Sequence, residues 1–266
     1  MPTPHPQDVT ILDRIIEHKR NELAAERSAT SEAELEARPV PSRRGFRAAL
    51  ASRHPAIIAE IKRASPSAGL IAADFNPATI AHNYQLAGAA ALSVLTDARF
   101  FQGSLDDLAA ARAATSLPVL RKDFTLDRYH VLQASACGSD CILLIAAALE
   151  DTELRELHAA AAELSLDVLV EVHDGSELER ALAMGANLIG VNNRNLKTME
   201  VSLQTSIDLA ERFPEHVLRI SESGIRTATD LRRLEDAGYQ GFLVGEGLMR
   251  HPDQGQALAD LMGRPT

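Results

Sequence analysis

Eight short apolar runs, mostly β-branched, recur along the chain, each of strand length and each followed by a stretch whose apolar residues keep helical spacing. They span residues 57–62, 91–96, 119–123, 141–146, 168–172, 188–192, 217–222 and 241–244, with successive starts 20 to 34 residues apart. Parallel strands need a helix-sized crossover. The spacing therefore predicts an α/β fold, and eight such units predict closure into a single (β/α)8 TIM barrel. At 266 residues the chain is close to the roughly 250 of such a barrel.

Residues 1–55 fall outside the repeat. Ile11, Leu12, Ile15, Ile16 and Leu23 keep helical spacing within 9–26, and Ser31 with Glu34 suits the cap of a second short helix. The chain thus reads as one domain: an N-terminal helical extension (1–55) packed on a barrel (56–266), with periodicity silent on which barrel end it covers. Between strands, Asn76-Pro77, Ser104, Asp151, Asp174 and Thr227 are expected helix starts, with Asp174 and Glu177 as a capping box. Gly88, Gly138, Gly185 and Gly238 are expected helix stops.

Charge narrows the function. Against 27 Lys plus Arg stand 37 Asp plus Glu, a net −10, which disfavours nucleic acid and anionic lipid as partners. An anionic ligand must find a local positive site. No run reaches the 18 or so apolar residues of a membrane span, and Met1-Pro2-Thr3-Pro4-His5-Pro6 has no basic or apolar signal region. A cytoplasmic location is expected. Cys137 and Cys141 have no neighbouring ligands to complete a metal set and read as reduced core thiols.

In a TIM barrel the active face is built at the C-terminal strand ends. Strand alternation puts Glu60 and Lys62 on the side of Ile58, and it points Lys122, Glu171 and Glu222 inward as well. All five come from odd-numbered strands, which predicts one layer of three carboxylates and two ammonium groups suited to general acid/base work. A solvated rim of surface ion pairs is the plainer alternative. Asn192 continues the sixth strand, and Arg194 offers a planar fork to a carboxylate or phosphate. Ser223-Gly224 after the seventh strand and Gly245-Glu246-Gly247 after the eighth predict backbone N–H groups aimed at a phosphate, with the Glu246 side chain turned away. The basic loop 62–69 is placed to fold over an anion, while Phe100 and Phe101 either line a ring-bearing substrate or pack under their own loop.

These segments, in this order, resemble the indole-3-glycerol-phosphate synthase family of tryptophan biosynthesis. The matching stretches are 58–67 (IAEIKRASPS), 95–97 with 101–104, 121–124 (RKDF), 169–173 (LVEVH), 189–194 (IGVNNR), 221–225 (SESGI) and 244–246 (VGE). The resemblance implies a carboxy-lyase acting on the small molecule 1-(2-carboxyphenylamino)-1-deoxyribulose 5-phosphate, with ring closure, decarboxylation and dehydration. It implies no cofactor and no metal, and a monomer is expected. It implies Lys122 as general acid, Glu171 as its acid/base partner, and Lys62, held by Glu60, facing the substrate carboxylate or assisting dehydration. It further implies Asn192, Arg194 and Glu222 as substrate-fixing groups, Ser223, Gly224, Gly245 and Glu246 around the phosphate, and Ser65 contributing from the first loop. A Schiff-base aldolase using Lys62 or Lys122, or a non-catalytic sugar-phosphate-binding barrel, are the competing readings.

Overall fold

The computed structural model describes residues 10–264. The segment 1–6 and position 9, at the expected start of the first helix, lie outside them. Eight parallel strands close into a barrel: β1 (Ala56–Ile61), β2 (Ala91–Leu95), β3 (Val119–Lys122), β4 (Cys141–Ile145), β5 (Asp167–Val172), β6 (Leu188–Asn192), β7 (Leu218–Glu222) and β8 (Gly241–Val244). Closure is made by β8 against β1, with Gly241 opposite Ala56. The helices are α1 (Ile11–Ala29), α2 (Glu32–Glu36), α3 (Phe46–Ala51), α4 (Pro77–Ala87), α5 (Ala98–Phe101), α6 (Leu105–Ala113), α7 (Arg128–Ala136), α8 (Asp151–Glu163), α9 (Gly175–Ala183), α10 (Gln204–Leu209), α11 (Ala228–Asp236), α12 (Glu246–Met249) and α13 (Gln254–Leu261). No described helix is long and apolar enough to cross a membrane.

The period of two along each strand divides the core. Ile57, Ala59, Leu92, Val94, Ile142, Leu144 and Val170 pack outward against the helices, while Ile58, Leu120, Leu143, Leu169, Ile220 and Leu243 fill the barrel. Cys141 is buried in that interior, Cys137 is half-buried, and the two are not bonded.

Most helix punctuation follows local chemistry. Asn76 Oδ1 accepts from Thr79 N at 3.1 Å, with Pro77 in the first helical position, and Ser104 and Thr227 cap α6 and α11. Gly88, Gly138, Gly185 and Gly238 all take positive φ, from 85° to 95°, the left-handed turn that stops a helix without a Cβ penalty. Two expectations need correction. Asp151 is not a cap but the first residue of α8, where its charge suits the positive end of the helix dipole. Asp174 caps α9 alone: Glu177 reaches one residue further back, to the His173 N–H at 2.8 Å, so no capping box forms.

The extension touches both barrel ends. Phe46 and Leu50 of α3 are fully buried in the interior cluster and plug the N-terminal end. Arg43 and Arg44 beside them donate to the carbonyl oxygens of Ser139 (2.6 Å) and Leu117 (2.7 Å) in the turns entering the strands. At the opposite end α1 crosses the mouth, where Lys19 Nζ sits 2.9 Å from Asp123 Oδ1 and 3.4 Å from Asp97 Oδ2.

Candidate active site

A cavity of about 470 Å³ opens at the C-terminal mouth, and the side chains singled out from the strand ends and loops converge on it. Glu60, Lys62, Ser65, Phe101, Lys122, Glu171, Asn192, Arg194, Glu222, Ser223, Gly224, Gly245 and Glu246 all line it, although β1 stops at Ile61 and β3 at Lys122.

Its centre is Lys122. The Nζ donates to Glu171 Oε2 at 2.8 Å and to Glu222 Oε2 at 2.7 Å, and Asn192 Nδ2 donates to the other Glu171 oxygen at 3.1 Å. Burial alone would lower the Lys122 pKa, but the charges of Glu171, Glu222 and Glu60 outweigh it and hold the ammonium above its usual range. Burial would likewise raise Glu171, yet the Lys122 ammonium and the nearby His173 imidazole keep it well below the usual carboxylate range. Glu222 goes the other way: burial, with the Glu171 charge added, overcomes Lys122 and pushes it up to about 7. One ammonium shared by two buried carboxylates cannot hold both ionised equally well. At neutral pH the trio therefore contains a charged acid, a carboxylate and a group poised to titrate.

Small residues make room for this layer. A Cβ at Gly190 would collide with Glu222 Oε1, and one at Gly245 would collide with Glu60 Oε1. Glu60 in turn pairs closely with Lys62. After β7, Ser223 and Gly224 take successive positive φ values (66° and 83°), so the chain turns at the cavity wall that both residues line. Glu246 Oε1 folds back to Arg250 Nη2 at 2.9 Å, so its carboxylate is turned along α12.

The loop after β1 folds into a small antiparallel ladder (Ala64–Ser65 with Gly69–Leu70) that presents Ser65 to the cavity. Arg194 lines the cavity while its Nη1 donates to the Met199 carbonyl at 3.3 Å. The two phenylalanines take different surroundings. Phe101 faces the cavity with Phe124, 6.3 Å between ring centroids, whereas Phe100 packs edge-on against His18 of α1.

Three contributions went unread in the sequence. Ile11, Leu12 and Ile15 of α1 roof the cavity; their helical stripe was visible, but a stripe does not name its partner. Gly190 carries no signal in a single sequence. His173, behind Glu171, lies on the same inward alternation as Glu171 and so was reachable by the rule that found it.

A closed (β/α)8 barrel with ammonium, guanidinium and carboxylate groups gathered at its C-terminal mouth has the architecture of a TIM-barrel enzyme. Comparison with known proteins narrows this. Residues 12–261 match the family model for indole-3-glycerol phosphate synthase. The indole-3-glycerol phosphate synthase of Acinetobacter baumannii strain AYE is 51% identical over 260 residues, covering 96% of this chain and 97% of that protein. That of Polaromonas naphthalenivorans strain CJ2 is 51% identical over 259 residues, covering 95% and 98%. The chain belongs to the indole-3-glycerol phosphate synthase family. Among solved structures, the N-acetylmannosamine-6-phosphate 2-epimerase of Clostridium perfringens has TM-score 0.60 at 15% identity, covering 74% of this chain and 89% of that one. Thiamine phosphate pyrophosphorylase of Pyrococcus furiosus has TM-score 0.60 at 15%, covering 79% and 94%. At such identity these two share the fold alone.

Proposed function

We propose that this chain is a carbon–carbon lyase that closes the indole ring of 1-(2-carboxyphenylamino)-1-deoxyribulose 5-phosphate, releasing carbon dioxide and water. The observation that carries this reading is the Lys122 ammonium, fixed at 2.8 and 2.7 Å between two buried carboxylates inside the cavity. As the aryl carbon attacks the C2′ ketone, charge builds on the carbonyl oxygen, and Lys122 protonates the alkoxide as it forms. Carbon dioxide then leaves the ring carbon. That loss restores the aromatic six-membered ring. In the dehydration that follows, the hydroxyl leaves as water with a proton from a neighbouring ammonium, Lys62 or a reprotonated Lys122, and Glu171, kept ionised beside Lys122, accepts the proton lost from the new five-membered ring.

The remaining assignments follow the charges of the substrate. Lys62, oriented by Glu60, faces the aryl carboxylate or assists dehydration; Asn192, Arg194 and Glu222 fix the ribulose chain; Phe101 and the α1 roof enclose the ring. Ser223, Gly224, Gly245 and the Glu246 backbone hold the phosphate, and Ser65 adds a hydroxyl from the first loop. The turn at Ser223 and Gly224 and the glycines opening α12, all lining the cavity, support backbone contact with a phosphate there. A Schiff-base aldolase needs an uncharged amine, and the doubly paired ammonium of Lys122 weighs against it.

The test is direct. The purified chain given the arylamino ribulose phosphate should generate indole fluorescence, with no adduct trapped by borohydride. A trapped lysine adduct with a ketose phosphate, and no fluorescence, would support the aldolase.

A further inference from the structure

His173 stands just past the end of β5, behind the cavity wall and between two carboxylates. Its Nδ1 lies 3.0 Å from Glu177 Oε2, and its backbone N–H donates to the same oxygen at 2.8 Å. Its Nε2, buried and without a hydrogen-bond partner among the described residues, lies within ion-pair distance of Glu171 Oε1 at 3.4 Å, the oxygen that accepts from Asn192. Glu177 sits in the first turn of α9, so the imidazole ties a helix start to the working end of a strand. With a carboxylate against each ring nitrogen, the imidazole is suited to carry both ring protons. Burial would lower its pKa, but Glu171 and Glu177 outweigh that and raise it to about 10.

Counting charges gives this geometry a consequence. Lys122 stands nearly equidistant from Glu171 and Glu222, at 2.8 and 2.7 Å, so Lys122 alone does not choose which carboxylate stays ionised. His173 makes that choice, because it contacts Glu171 and not Glu222. The charged groups facing the imidazole are Glu171 from β5 and Glu177 from α9. Lys122 on β3 and Glu222 on β7 meet it across Glu171, and the β6 side chain bonded to Glu171, Asn192, is neutral.

We propose that His173 is a positioning residue of the reaction, a second cation that bridges Glu177 to Glu171, keeps Glu171 as the carboxylate of the trio and leaves Glu222 to carry the proton. When Lys122 gives up its proton, Glu171 still faces a cation and remains a base. This rests on the proposed proton-transfer roles of Lys122 and Glu171 and adds the group that keeps those roles apart.

The experiment compares kcat and kcat/KM of the full chain, His173→Gln and Glu177→Gln from pH 6 to pH 8 by indole fluorescence, with ¹⁵N spectra of the imidazole from pH 6 to pH 11. Without the imidazolium, Glu171 shares the single proton below neutral pH, so the wild-type to His173→Gln ratio of kcat should be at least about fivefold larger at pH 6 than at pH 8. A ratio independent of pH is what lost packing alone would give, and it overturns the proposal. In Glu177→Gln the imidazole should titrate at least about one pH unit lower; an unmoved titration overturns it too, and this arm stands if His173→Gln fails to fold. Glu171→Gln separates the two claims. If that variant keeps wild-type turnover, the proton-transfer reading fails; if it is inactive while the His173→Gln ratio stays flat, only the role of His173 fails.

Discussion

Glu222 offers one oxygen to Lys122 and keeps the other, Oε1, buried with no hydrogen-bond partner among the described residues. Its proton is therefore worth more in the folded protein than in the unfolded chain. Because the folded pKa, about 7, lies above that of an exposed glutamate, the stability it contributes is full below the ordinary carboxylate range and is lost as pH rises through about 7. Urea unfolding at pH 5 and pH 8 checks this: relative to Glu222→Gln, the wild type should lose on the order of 2–3 kcal/mol over that interval. At this scale the inward carboxylates and lysines were legible, because alternation from Ile58 carries to Glu60 and the same count applies to Lys122, Glu171 and Glu222. What alternation cannot supply is pairing. That Lys122 serves two glutamates, and that Gly190 clears space for one of them, depends on strands far apart in the chain.

Helix α1 is held down by charge as well as by apolar packing. Lys19 is buried against Asp123 and Asp97, Arg121 Nη2 donates to Asp123 at 3.0 Å, and Thr96 Oγ1 donates to it at 2.6 Å. Burial alone would raise Asp123, but Arg121 and Lys19 hold it well below the usual range. Lys19→Met would leave two buried carboxylates short of a cation, a loss of about 3–5 kcal/mol for docking the helix. Since Ile11, Leu12 and Ile15 roof the cavity, KM should rise at least several-fold with kcat changed less, and hydrogen exchange in α1 should quicken. An unchanged KM would separate the latch from the site. Strand and helix positions were readable because period and turn chemistry are local. The destination of the extension was not, and neither was the reach of Glu177 past its own cap to His173, because both are settled by what packs nearby.

The barrel as a whole separates its two ends. The C-terminal mouth gathers the charged layer, while the N-terminal end is stopped by Phe46 and Leu50 and by guanidinium groups on turn carbonyls. Phe46→Ala should therefore cost about 3–5 kcal/mol of stability and leave kcat per folded molecule near wild type, seen by thermal unfolding beside active-site-normalised turnover. Eightfold closure was visible from spacing, since parallel strands at helix-sized intervals have few other solutions. Inside a chain of net charge −10, the mouth brings Lys62, Lys122 and Arg194 together with the carboxylates that pair the two lysines. The most direct measurement is turnover and substrate binding by Lys122→Ala: kcat should fall by about 10² or more with Kd within a few-fold of wild type. Turnover close to wild type in that variant would contradict the account at its centre.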